Sequence, residues 1–178
     1  MGLAQNGWVL RIQRIGEQKR RERRRTFGTY TVFHDGVPTG LMGTSVETKG
    51  PGDNAEQGNG RCVEARAYPL ATQDGSRYKT FDYLVSGDPD RTPKPGIELL
   101  QTGARTEILI HPGYGFLASV GCINLTAPLP DGRTDIPFTD SRDRVIAVID
   151  DLRGYLGADF PKRNGRPIPR AWVIIEDA

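Results

Sequence analysis

The chain has 178 residues, 37% of them hydrophobic, which is enough for one domain that buries a core without disulfides or metal ions. Its 22 glycines and 13 prolines favour many short strands and turns. A net charge of only +2 excludes a uniformly basic protein, and no apolar run approaches the roughly 18 residues of a membrane span. Residues 1–15 lack a secretory signal pattern, so we expect a soluble protein that is made in the cytoplasm.

The N-terminal part of the chain predicts a hairpin of two strands. Apolar alternation favours strands over 8–15 and 26–33, and the second strand ends at the Asp35-Gly36 turn. Between the strands, residues 19–25 carry six basic side chains in seven positions. We expect an exposed connection there, either a solvated hairpin or a contact for an anionic glycan or peptide. Because no motif that reads nucleic acid accompanies this run, nucleic acid is not an expected partner.

The middle of the chain predicts shorter strands separated by loops rich in glycine and polar residues. The predicted strands are 41–47, 61–70, 78–85 and 97–100. The Asp74-Gly75 turn is expected to join the second and third of these strands. Cys62 is predicted to be a buried residue of the strand 61–70, and His34 a side chain at a hairpin edge.

Residues 108–125 are the most informative segment, because they hold one of the two histidines and one of the two cysteines. His111 ends an apolar run that Pro112 interrupts, and Cys122 follows a glycine that permits a tight turn. A thiol with a nearby imidazole suggests a cysteine nucleophile and its base, with the N–H groups of Gly121 and Cys122 holding an oxyanion. The alternative is structural, with Cys122 as a small core residue and His111 as a hydrogen-bonded strand end.

Two further interpretations of the cysteines remain open at this point. In the first interpretation, Cys62 and Cys122 form a disulfide. In the second interpretation, the two cysteines bind zinc together with His34 and His111. The four positions contain no close ligand pair of the usual zinc type, so neither a metal nor another cofactor is expected.

The C-terminal part predicts one helix and one strand. Proline-rich residues 124–140 are expected to form a loop beside the active site, and Asp140 to cap a helix over 141–156 that ends at Gly157. Residues 171–175 predict the final strand. The expected fold is therefore a single mostly β domain of the α+β class over residues 1–178, a sandwich or rolled sheet with one packed helix.

The segment that runs from His111 to Ser119-Val120-Gly121-Cys122-Ile123-Asn124 resembles the signature of the L,D-transpeptidases. That signature is a histidine followed by Ser/Thr-x-Gly-Cys, a hydrophobic residue and Arg or Asn. The gap between histidine and cysteine is shorter than in most housekeeping members, and Val120 stands where many members carry a second histidine. The segment therefore looks most like transpeptidase-like toxins of type VI secretion and relatives associated with phages or secretion.

The resemblance implies a fold of the L,D-transpeptidase catalytic type with Cys122 as nucleophile and His111 as base. The implied substrates are peptidoglycan stem peptides, and the implied reactions are L,D-carboxypeptidase cleavage, cross-linking or D-amino-acid exchange. An antibacterial effector of this type would be delivered to a target periplasm and would have an immunity protein or a secretion-apparatus protein as partner. Two alternatives stay open, namely a noncatalytic binding module of a phage tail or secretion system, and a cysteine hydrolase of another amide.

Four other residues are candidates for the site. Ser119 is expected to shape the turn before Cys122 or to orient His111. Arg105 and Asn124 are candidates to bind a substrate carboxylate, since a guanidinium offers bidentate geometry for such a group. Asn124 is equally suited to brace the loop, and Tyr114 to line the cleft.

Overall fold

A computed structural model describes residues 6–178. Over these residues the fold is mostly β with a single α-helix, which confirms the predicted α+β class. The ten strands are β1 (Trp8–Arg20), β2 (Arg23–His34), β3 (Val37–Thr48), β4 (Ala67–Thr72), β5 (Tyr78–Lys79), β6 (Lys94–Pro95), β7 (Ile97–Leu99), β8 (Leu109–Ile110), β9 (Asn124–Thr126) and β10 (Pro167–Glu176). Residues 1–5 lie outside the described residues. They belong to the predicted domain 1–178 and to the segment 1–15, which lacks a secretory signal pattern.

Strands β1, β2 and β3 form a long antiparallel meander. Their alternation buries one face, as in β1, where Trp8, Leu10 and Ile12 are buried. The strands continue well beyond the apolar segments that predicted them, so residues 19–25 lie inside the β1–β2 hairpin. Arg21 and Glu22 form its turn, and Arg21 has a φ of 53°. The prediction of an exposed connection is wrong for Arg25, which is fully buried.

The eight strands of the main sheet curl so that its two edges meet. Their order is β8-β7-β4-β10-β1-β2-β3-β9, and β10 pairs parallel with β1. A parallel bridge between Ile110 at the end of β8 and Ile123 before β9 joins the outermost strands. We call this contact the seam. The sheet is therefore nearly closed, and its seam lies within the segment 108–125.

Helix α1 (Phe138–Leu156) packs its apolar stripe into the core that the sheet encloses. The buried residues of this stripe include Val145, Ile149 and Leu152, as helical spacing predicts, and Gly157 ends the helix with a φ of 56°. The predicted cap was wrong, because α1 begins at Phe138 with Pro137 in the N-cap position. The carboxylate of Asp140 instead accepts hydrogen bonds from the Ala127 N–H and from Arg144.

Two predicted strands are much shorter in the structure. The strand expected over 61–70 begins only at Ala67, and Cys62 is buried in an irregular segment before it. The strand expected over 78–85 is limited to Tyr78–Lys79, which pairs with β6 in a separate two-stranded sheet. Within residues 6–178, no helix is both long and apolar enough to span a membrane.

Candidate functional site

His111 and Cys122 both lie at the seam, each one residue away from the Ile110–Ile123 bridge. The His111 N–H donates to the Ile123 carbonyl at 3.0 Å, and the Ile123 N–H donates to the Leu109 carbonyl at 2.8 Å. Because His111 directly follows Ile110 and Cys122 directly precedes Ile123, the parallel bridge places the predicted base and nucleophile on opposite sides of the Ile110–Ile123 pair, with His111 beside Asn124 and Cys122 beside Leu109. Closure of the sheet therefore builds the candidate site.

The Cys122 thiol is half-buried and lines an open pocket of about 350 Å³. Its Sγ accepts a hydrogen bond from the Leu109 N–H at 3.3 Å and lies 3.5 Å from the Glu107 carbonyl, to which the S–H donates. Burial, which disfavours the thiolate, raises the pKa of Cys122 to about 11. The thiol is therefore neutral in this structure but faces a space that a substrate can enter.

The imidazole of His111 is held as one neutral tautomer. Its Nδ1 lies 2.7 Å from the Pro112 carbonyl, which only accepts hydrogen bonds, so Nδ1 carries the proton and Nε2 keeps its lone pair. His111 is only 3% exposed, and this burial lowers its pKa to about 4. No hydrogen bond joins His111 to Cys122 among the described residues. At neutral pH the pair is thus a neutral thiol and a neutral base, not an ion pair.

The loop before Cys122 offers two free backbone donors. Within residues 6–178, neither the Gly121 N–H nor the Cys122 N–H donates a hydrogen bond. Ser119 Oγ donates to the Cys122 carbonyl at 2.9 Å and so holds the turn, as one of its two predicted roles requires. It makes no hydrogen bond to His111, so the structure does not support the other role. An oxyanion hole uses such donors, but Gly121 is buried and is not among the residues that line the Cys122 pocket.

Arg105 is not placed to bind a substrate. It is 3% exposed and donates hydrogen bonds to the carbonyls of Asp53, Arg61 and Val120, so its guanidinium is used to brace the loop. A Cβ added at Gly121 would overlap Nη2 of Arg105, which explains why a glycine precedes Cys122. The predicted carboxylate contact of Arg105 is therefore replaced by a structural role, because the residue is buried and both Nη groups are bonded to backbone carbonyls.

Asn124 also supports the site from within. It is fully buried, and its Nδ2 donates to the His111 carbonyl at 2.9 Å and lies 3.4 Å from His111 Nδ1. The structure thus favours the bracing role of Asn124 over the carboxylate contact. Tyr114 is 46% exposed and packs edge-to-face on Phe138, with ring centroids 6.4 Å apart, and it does not line the Cys122 pocket.

Sequence reasoning missed the wall of the pocket that faces Cys122. Gln73, Gly75, Ser76, the exposed Arg77 and Tyr78 form this wall, and Glu107 also lines the pocket. The Tyr78 ring packs on the His111 ring with centroids 4.3 Å apart. Burial and the nearby Cys122 and Tyr114 raise the pKa of Tyr78 to about 12. The Asp74-Gly75 pair signalled a turn here, but no local signal connected that turn to the segment 108–125.

The remaining cysteine and histidine are engaged elsewhere. Cys62 and Cys122 are both free thiols, so the disulfide is not present. His34 Nε2 lies 2.7 Å from Asp151 Oδ2, and its ring packs on Tyr155, which separates it from the predicted zinc set. In the part of the chain that the structure describes, no group of three or more His, Cys, Asp or Glu residues is arranged to hold a metal ion.

Comparison with known proteins gives no match: neither a family model, nor a curated protein, nor a solved structure matches this chain.

Proposed function

We propose that the protein is a cysteine acyltransferase or peptidase of the L,D-transpeptidase type that acts on peptidoglycan stem peptides. The observation that supports this proposal is the seam, whose flanking residues are a thiol that lines a pocket and, within residues 6–178, a histidine whose Nε2 has no hydrogen-bond partner and two N–H groups that donate no hydrogen bond. These are the three parts that nucleophilic acyl transfer requires. The motif resemblance supplies the substrate class.

In the proposed reaction the thiol loses its proton only as it attacks. The S–H leaves the Glu107 carbonyl and gives its proton to His111 Nε2, while Sγ bonds to the carbonyl carbon of the scissile amide. The carbonyl oxygen becomes an oxyanion that the Gly121 and Cys122 N–H groups stabilise. When the C–N bond breaks, His111 returns the proton to the leaving amine, and a thioester remains on Cys122. Water or a second amine then attacks the thioester and gives a proton to His111, the C–S bond breaks, and His111 returns that proton to Sγ.

This order of events follows from the two pKa values. A thiol with a pKa of about 11 and an imidazole with a pKa of about 4 do not exchange a proton before substrate binds. Negative charge is stable on the oxyanion but not on the isolated sulfur, so proton transfer accompanies bond formation. Such general-base assistance contributes typically 10²–10⁴-fold to the rate.

Arg77 and Glu107 are the proposed specificity residues. They are exposed, bear opposite charges and line the pocket that contains Cys122. A stem peptide presents a free carboxylate and, on its diamino acid, an amino group, so one cation and one anion at the pocket match it. Arg77, rather than Arg105, therefore takes the role of the carboxylate-binding arginine.

Place of action follows from the proposed substrate, because peptidoglycan lies outside the cytoplasmic membrane. We expect the chain to be harmless when it is expressed in the bacterial cytoplasm and to damage the wall when a periplasmic signal is fused to it. Equal growth of cells with the periplasmic wild type and with its Cys122→Ala form, together with unchanged muropeptides, would argue against a toxin. Altered muropeptides in the wild-type cells would instead show that the enzyme acts without killing. Delivery by a specialised secretion system and protection by an immunity protein belong to the same proposal.

The proposed pair is tested by single and double substitution. Cys122→Ala and His111→Ala should each remove most turnover of a purified muropeptide, and the double variant should lose little more, because nucleophile and base act as a unit. Cys62→Ser is the matched control and should keep its activity, since Cys62 lies away from the pocket. Additive losses in the double variant would contradict the pairing of Cys122 with His111.

A further inference from the structure

The tip of the β1–β2 hairpin, residues 19–25, packs against the loop that connects His111 to Cys122. Three guanidinium groups of this hairpin tip surround the ring of Phe116, at 4.9 Å for Arg20, 5.6 Å for Arg23 and 4.5 Å for Arg25. Phe116 itself is only 2% exposed. The aromatic ring is therefore covered by cations, which favour the face of such a ring.

Backbone carbonyls, not carboxylates, accept most of the hydrogen bonds from these arginines. Arg25 donates to the carbonyls of Phe116, Asp131 and Thr134, and Arg23 donates to that of Leu117. Arg20 donates to two carbonyls of the 131–135 loop and pairs with one carboxylate, that of Asp135, at 2.6 Å. Carbonyl dipoles hold the guanidiniums but do not neutralise them, so the hairpin tip keeps an excess of positive charge.

This excess charge opens onto a surface pocket. The pocket has a volume of about 560 Å³ and is lined by Arg20, Arg21, Glu22 and Arg23. Arg21 is exposed and makes no ion pair within residues 6–178, and the same is true of Lys19 beside it. Burial and the nearby Arg20 lower the pKa of Arg25 to about 10, as expected where like charges lie close together.

We propose that the hairpin tip is a binding site for an acidic polysaccharide. The arginines that line the 560 Å³ pocket bind the carboxylates of this polysaccharide. Guanidinium groups bind carboxylates through paired hydrogen bonds, and an anionic chain matches a row of exposed cations. This inference is independent of the reaction proposed for Cys122, because it concerns a second surface of the protein.

The structure favours a glycan over a nucleic acid. A single strand needs an exposed aromatic ring on which bases stack, but the Phe116 ring is covered by guanidiniums. A hairpin that reads a duplex must enter a groove, whereas this one is fixed along one side by the bonds of Arg20, Arg23 and Arg25 to the neighbouring loops. The remaining free side presents only charges, which suit a flexible anionic chain.

Occupation of the hairpin tip should also affect the loop that contains Phe116. A bound carboxylate reduces the repulsion among Arg20, Arg23 and Arg25, and these arginines hold the carbonyls of Phe116 and Leu117. We therefore expect slower amide hydrogen exchange in residues 115–118 when the site is filled.

The test measures binding of a hexameric oligogalacturonate to the full chain, at about 0.01 M salt and again at about 0.15 M. The triple variant Lys19→Gln, Arg21→Gln, Arg24→Gln removes the pocket arginine that holds no loop and two exposed cations beside the pocket, of which Arg24 pairs with Glu17 at 3.5 Å. It should bind about tenfold more weakly at low salt, and the difference should shrink at high salt. The matched control is Lys162→Gln, Arg163→Gln, Arg166→Gln, which removes the same charge from another exposed loop and should bind like the wild type.

Three results would overturn the proposal. Equal weakening in the two triple variants would mean that only net charge matters, and unchanged binding in the hairpin variant would place the site elsewhere. Tighter binding of a hexameric single-stranded DNA or of anionic lipid vesicles than of the oligogalacturonate would identify a different ligand class. The side chains of the three substituted hairpin residues bond to neither the Phe116 loop nor the 131–135 loop, so the fold should stay intact. Thermal unfolding of each variant at a temperature close to that of the wild type checks this.

Discussion

Burial of His111 as a neutral imidazole makes a quantitative prediction about stability at acidic pH. Its pKa is about 4 in the folded protein and near 6.5 in an unfolded chain. Between these two values the unfolded state binds one proton more than the folded state, so the free energy of unfolding falls as the pH falls. From pH 7 to pH 4.5 this single group should cost about 2.5 kcal/mol, because each pKa unit corresponds to about 1.4 kcal/mol.

The assay is urea unfolding of the wild type and of His111→Gln, followed by tryptophan fluorescence at several pH values from 7 to 4.5. The substitution destabilises the protein at pH 7, but it removes the proton uptake, so its disadvantage relative to the wild type should shrink by about 2.5 kcal/mol at pH 4.5. His34→Gln keeps His111 and should retain the wild-type fall. If the wild type and His111→Gln lose stability in parallel, His111 is not buried as a neutral base.

Four further predictions rest on individual residues and their contacts. In the Cys62→Ser variant, the rate of Cys122 alkylation should rise about tenfold for each pH unit from 7 to 9. The reason is that a pKa of about 11 leaves about 1 thiolate in 10⁴ at pH 7. A plateau of the rate near pH 8 would contradict this pKa. Cys62, which is 1% exposed, should label more slowly than Cys122 in the wild type. Gly121→Ala should destabilise the fold by about 1–3 kcal/mol, because the added Cβ overlaps Arg105. Gly87 has open space around it, so Gly87→Ala should change stability by less than about 0.5 kcal/mol. Urea unfolding of both variants measures the two effects. Arg25→Met should lower the free energy of unfolding by about 3 kcal/mol, because three backbone carbonyls lose their donor and the hydrogen bond to that of Phe116 is buried. Arg24→Met at the surface should lower it by less than about 0.5 kcal/mol. Equal losses would mean that Arg25 does not hold the loops.

Local patterns in the sequence predicted the parts of the fold that local physics determines. The Asp35-Gly36 turn, the alternation of the first strands and the apolar stripe of α1 each involve neighbouring residues, and the structure has all three. The seam between Ile110 and Ile123 was not predicted, because closure of the sheet depends on the summed curvature of eight strands. The sequence placed His111 and Cys122 in one segment, whereas only the closed sheet shows how they meet.

The roles of the arginines were the least predictable part of the site. Composition made residues 19–25 appear uniformly solvated, yet Arg25 is buried because carbonyls of the 116 and 131–134 loops surround it. Arg105 appeared suited to a substrate carboxylate because a guanidinium offers bidentate geometry, but its two Nη groups are bonded to backbone carbonyls. Whether a guanidinium faces a ligand or a loop depends on contacts between distant segments, which a single sequence does not reveal.

The most direct test of the proposed function is incubation of the full chain with purified muropeptides, followed by mass analysis of the products and of the protein. We expect loss of a terminal D-alanine or a new cross-link, together with a thioester adduct on the peptide that contains Cys122, and neither should form with Cys122→Ala. Unchanged muropeptides with the wild type, or equal conversion by Cys122→Ala, would contradict the proposal that this thiol acts on peptidoglycan stem peptides.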